Sequence, residues 1–92
     1  MSERFVVVTT EKRGVFAGVL LSERGAVVQL KDARMCVYWS ADVGGVVGLA
    51  AVGPSSECRI TKAAPKIKLR GMVSVMDCTD EARRAWKAEP WK

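Results

Sequence analysis

Apolar residues in this chain come in short runs dominated by β-branched side chains, and a turn signal interrupts each run before it reaches helical length. Phe5 to Val8, Val15 to Leu21, Ala26 to Leu30, Met35 to Trp39 and Ile67 to Val75 are the main examples. Such runs suit a pleated, half-buried surface, whereas an apolar segment this short does not hold a helix by itself. Glu11-Lys12-Arg13-Gly14, Ser22-Glu23-Arg24-Gly25 and Gly53-Pro54-Ser55-Ser56 supply the turns between them. The chain is thereby directed to a mainly β fold.

Residues 4 to 11 read as a first strand. The stretch from Val15 to Ala33 reads as a hairpin that turns through Ser22 to Gly25, with Gly25 free to adopt a positive φ. Met35 to Trp39 is expected to start a separate strand after Asp32-Ala33-Arg34. The alanines and leucine between Val43 and Val52 favour a helix, but Gly44, Gly45 and Gly48 each oppose one by about 1 kcal/mol. A loop followed by a short strand is expected there. A short strand around Arg59 to Thr61 and a last long one from Ile67 to Met76, with Pro65 at its entrance, complete the set. Thr79 caps a helix with Asp80 and Glu81 in its first turn and Lys87 near its end. Pro90 stops it, and Ala82, Ala85 and Trp86 share one face. The expected fold is mainly β: a small bent antiparallel sheet or barrel of five or six strands with one C-terminal α-helix.

With 92 residues, 49% of them hydrophobic, the chain forms a single domain spanning 1-92. The start carries no basic region followed by a sustained apolar run, and the longest uncharged stretch, Val43 to Ser56, is too short and glycine-rich to span a bilayer. A soluble, cytoplasmic protein that does not engage membranes is expected. Cysteines stand at 36, 58 and 78 without a close pair, and histidine is absent. That pattern predicts buried free thiols and argues against a disulfide framework, a zinc site or any other cofactor. Catalysis lacks its usual equipment: no nucleophile has an evident base, no phosphate-loop pattern occurs, and the carboxylates are scattered. The chain reads as a non-enzyme.

The formal charge of +5 draws anions. From Gly53 to Arg70, five basic residues (Arg59, Lys62, Lys66, Lys68, Arg70) face the single acid Glu57. Strand alternation points Lys66, Lys68 and Arg70 one way and Ile67 and Leu69 the other. Ser55 and Ser56 offer hydroxyls to phosphate oxygens, Arg34 and Arg59 offer guanidinium groups, and either Tyr38 or Trp39 offers a plane on which a base stacks. Because those two aromatics alternate, the other belongs to the core. The expected ligand site is Arg34, Tyr38, Trp39, Ser55, Ser56, Arg59, Lys62 and Arg70, with no catalytic or metal residues.

Two resemblances bear on function. The segments Ala33 to Ser40, Gly48-Leu49-Ala50, Gly53-Pro54 and Asp77-Cys78-Thr79 resemble a family of small uncharacterised proteins of tailed bacteriophages, which implies expression in the bacterial host cytoplasm. Val15 to Asp32, with Gly18 and Gly25, together with Leu69-Arg70-Gly71-Met72-Val73-Ser74-Val75, is similar to the two blocks of the Sm-like RNA-binding barrels. That likeness implies a bent Sm/SH3-like barrel, ring assembly, and Arg70 and Gly71 as RNA contacts; the Asp and Asn that read RNA in the first block have no clear equivalents around Arg24 to Gln29. The expected function is non-enzymatic binding of an anionic small molecule by a phage protein, with a nucleotide or cyclic-nucleotide immune signal of the host as the ligand to be sequestered. The alternatives are an Sm-like nucleic-acid-binding module and a protein-interaction module that inhibits a host enzyme through Trp86 and Trp91. A homo-oligomer suits all three, because a small sheet has edges to pair and apolar residues such as Val46 and Val47 to cover.

Overall fold

The computed structural model describes residues 4–11 and 14–90. Six antiparallel strands form one open sheet: β1 (Phe5–Thr10), β2 (Val15–Arg24), β3 (Val27–Tyr38), β4 (Arg59–Ile60), β5 (Ala64–Arg70) and β6 (Met72–Asp77). The order is β4-β3-β2-β1-β6, with β5 also paired to β3. Two helices, α1 (Gly45–Ala51) and α2 (Asp80–Ala88), complete the fold. The expected mainly β architecture with a C-terminal helix is the one observed, as a bent sheet.

The run Phe5-Val6-Val7-Val8 is buried along its whole length because β1 lies between two apolar layers. Val6 and Val8 join Val28, Leu30, Ala33 and Leu69, and Ile67, Met72 and Val75 pack against this cluster. Strands from both ends of the path β5-β3-β2-β1-β6 therefore meet in one core, so the sheet curls around it. Phe5 and Val7 point the other way, into a second core with Val15, Ala17, Cys36, Leu49, Ile60 and Trp86. The two helices cover that core, and Arg83 of α2 sits over the Phe5 ring, 5.7 Å from its centroid.

Four local expectations are corrected. The hairpin turns at Gly25-Ala26, not Ser22 to Gly25, since β2 continues through Arg24. No break follows Asp32: β3 is one twelve-residue strand. Asp32 takes φ 52° there, and the register with β2 shifts by a residue between Val19↔Lys31 and Ala17↔Arg34. That is a bulge, and aspartate is among the non-glycine residues that tolerate this conformation. The last long strand starts at Ala64 and is divided at Gly71, whose φ of 72° lets the chain leave β3 and join β1. The glycine-bearing segment is neither loop nor strand. It forms a 3₁₀ turn, Ala41–Val43, that leads into α1. Burial of Leu49 and Ala50 outweighs the glycine cost, and the Trp86 indole Nε1 donates to the Leu49 carbonyl at 3.0 Å.

The C-terminal helix follows its sequence signals. Thr79 accepts a hydrogen bond from the Ala82 amide at 3.0 Å, and Asp80 and Glu81 occupy the positive end of the helix dipole. Ala82 and Trp86 are fully buried. Trp86 is thus a core staple and no longer a candidate interface anchor; Trp91 lies outside the described residues.

Candidate anion-binding face

The structure distributes the eight expected site residues over three places. Tyr38, at the C-terminal end of β3, is exposed and directly opposite Arg59 of β4. Trp39 is partly buried and packs against the helix-side core, so of the two aromatics Tyr38 is the open one. Ser55 is engaged in its own turn: its hydroxyl lies 3.2 Å from that of Ser40 and accepts from the Glu57 amide at 3.3 Å. Ser56 is exposed, while Gly53 and Pro54 are buried, so the glycine-proline bend offers little to a ligand.

Arg34 and Lys62 meet at a second place, a cavity of about 520 Å³ beneath the end of α2. Phe5, Val19 and Trp86 contribute apolar surface, and Asp32, Lys87 and Glu89 contribute charge. Arg34 is already committed structurally. Its Nε donates to the Thr61 carbonyl at 2.8 Å and its Nη1 to the Trp86 carbonyl at 2.5 Å, which ties β3 to the last turn of α2. Burial lowers its pKa from the ordinary 12.5, and the Glu89 carboxylate works in the opposite direction. With Asp32 and Glu89 beside the cations, the cavity is close to balanced in charge.

Arg70 stands at the third place, and the surroundings there are different. In β5, Lys66, Lys68 and Arg70 are exposed while Ile67 and Leu69 turn inward, as alternation predicts. The pairing of β5 with β3 sets Arg70 against Val27, Lys68 against Gln29 and Lys66 against Lys31. On the other flank β2 sets Arg24 against Val27 and Ser22 against Gln29. Five cations from three strands thus share one sheet face, in the region the helices leave bare. The shallow depression at its centre is lined by Ser22, Arg24, Val27, Gln29, Lys68 and Arg70, with no carboxylate among them.

This face gathers five of the chain's cations, a number equal to its net charge. There are fifteen lysines and arginines and ten acidic residues. Removing these five cations leaves ten of each sign. The side chains of Arg24, Lys68 and Arg70 have no hydrogen bond or ion pair among the described residues. Lys31 directly opposes Lys66, and like charges in that relation destabilise a sheet. Arg24, Lys31, Lys66 and Lys68 were not among the expected ligand residues, although the stripe from Lys66 to Arg70 was visible in the sequence.

Cys36 and Cys78 are held in their neutral thiol form beyond the ordinary range. All three cysteines are free, and among the described residues no group of three potential ligands is placed to hold a metal ion. Burial pushes the Cys36 thiol from the ordinary 9.0 up to about 11, with the neighbouring Cys58 adding to the rise. Burial, then the Asp77 charge, pushes Cys78 up to about 12. Because the unfolded thiols ionise first, the stability these groups contribute is fully present below pH 9 and is lost as pH rises toward 11 and 12. Urea unfolding midpoints should therefore decline above pH 9, and iodoacetamide should label the native protein slowly at pH 8 compared with the protein in urea.

Fold and face together define a class: a small mainly β protein with five cations gathered on an exposed sheet surface. The chain belongs to the family described as Domain of unknown function (DUF6948), whose model matches residues 3–86. No curated protein and no solved structure matches the chain. Among the described residues no helix is long and apolar enough to cross a membrane.

Proposed function

We propose that this protein is a non-catalytic binding module for a phosphate-bearing anion, and that the outer face of β2, β3 and β5 holds the ligand. The observation that carries this reading is the gathering of five cations on one face, in an order that sets two lysines directly opposite each other. Like charges directly opposite each other destabilise a sheet. An anion that bridges the rows would meet Arg24, Lys68 and Arg70, and the Ser22 hydroxyl and Gln29 amide between them can donate to its oxygens.

Lys66→Glu separates the two requirements. The variant should be more stable than the parent by about 0.5 kcal/mol, since a like-charge pair becomes an opposite-charge one. It should also bind pyrophosphate several-fold more weakly at low salt. An amide chemical-shift titration of the parent with pyrophosphate should perturb Gln29, Lys68 and Arg70. Perturbations confined to Arg34, Lys62 and Lys87 would move the site to the cavity under α2, and a titration that perturbs nothing would remove the reading.

A further inference from the structure

We infer that the anion is a nucleic-acid backbone, gripped through its phosphates without recognition of the bases; this rests on the reading of the basic face as an anion site. The first argument is the layout of charge. Lys66, Lys68 and Arg70 are alternate residues of one strand, so each step is about 6.7 Å and the row spans about 13 Å. Arg24 and Arg70 flank Val27 from opposite sides, two strand spacings or about 10 Å apart. A single phosphate group reaches one or two of these cations. A chain of regularly spaced phosphates engages all of them, and only such a ligand uses the whole face.

The second argument is the absence of base-reading chemistry on the face. Its depression is lined by cations, a hydroxyl, an amide and one valine, with no aromatic ring for stacking. Tyr38 lies at the other end of the twelve-residue β3, and Trp39 just beyond it. Phosphate contacts position a nucleic acid but carry no sequence information, so binding here is sequence-independent. A lipid surface is the less suitable polyanion, because Val27, the one apolar residue in the depression, is partly buried and provides nothing to insert between acyl chains.

The test uses a fluorescein-labelled single-stranded 20-mer in anisotropy titrations from 50 to 200 mM KCl. At about 0.7 counterions released per phosphate contact on a single strand, four to five contacts give a slope of log K against log salt of about −3. Affinity should then fall about sixtyfold over that range, and two 20-mers of unrelated sequence should bind alike. Replacing Lys66, Lys68 and Arg70 together with alanine should reduce the slope to about −1, with an unchanged circular dichroism spectrum showing that the fold persists. A mononucleotide that binds as tightly as the 20-mer and perturbs the same face would overturn the polymer inference while leaving the anion site standing. Binding to phosphatidylserine vesicles but not to the 20-mer would overturn it as well. Failure of every phosphate compound to bind would remove both this inference and the reading beneath it.

Discussion

Trp86→Ala is expected to lower the unfolding free energy by about 4 kcal/mol, within the usual range for deletion of a buried aromatic side chain. The indole is fully buried and touches elements far apart in the chain. It fills the helix-side core alongside Phe5, Val19 and Ile60, and its Nε1 holds the Leu49 carbonyl of α1. Truncation leaves both a cavity and a buried carbonyl without its donor. For a domain whose total stability is of the order of 5–15 kcal/mol, that loss is a large fraction. Trp86→Phe keeps most of the apolar volume and removes the indole N–H, so it should cost about 1–2 kcal/mol. Urea denaturation of the three proteins provides the comparison. Should Trp86→Ala cost under 1 kcal/mol, α2 cannot be packed on the sheet as described.

The same packing explains which parts of the structure were legible in the sequence. Phe5 to Val8 announced a strand through its aromatic and β-branched residues, but not that both of its faces are buried, because the second apolar layer comes from helices and strands far along the chain. Alternation from Lys66 to Arg70 announced its own inner and outer faces. Thr79 and the charges behind it announced α2, since capping is local chemistry. In contrast, α1 was hidden. Its glycine cost lies within the segment, whereas the compensating contact comes from Trp86, 37 positions along the chain. The Asp32 bulge was hidden for a related reason: one unusual φ keeps β3 continuous, and composition reads the polar cluster there as an end. For the candidate site the limit was pairing. Arg70 and its stripe were visible, but Arg24 and Lys31 join them only through the β2–β3 and β3–β5 registers, and Val27 and Arg70 are far apart in sequence. Arg34 and Lys62 come together at the cavity under α2 only through the fold, and the carbonyls that occupy the Arg34 guanidinium come from α2 and from the segment after β4.

Gly48→Ala is the complementary test of α1, because it acts on the helix from within. A Cβ at this position would lie 1.5 Å from the Val43 carbonyl oxygen and 2.5 Å from its carbon. The clash is with backbone of the preceding 3₁₀ turn, so no rotation of a side chain relieves it. Either the turn or the helix must move, and Leu49 and Ala50 leave the core as it does. We expect a loss of about 3 kcal/mol, comparable to severe overpacking, and a fall in melting temperature of roughly 15 °C for a domain of this size. Helix propensity alone predicts the reverse, since alanine is favoured over glycine by about 1 kcal/mol in a helix interior. The sign of the change thus decides between local preference and close approach. Val47→Ala, at an exposed position one residue earlier, should stay within about 0.5 kcal/mol of the parent and controls for substitution in α1 as such. If α1 is held by both the Val43 contact and the Trp86 indole, the double variant Gly48→Ala/Trp86→Ala should lose less than the two single losses added together, because a helix already displaced has no indole contact left to forfeit.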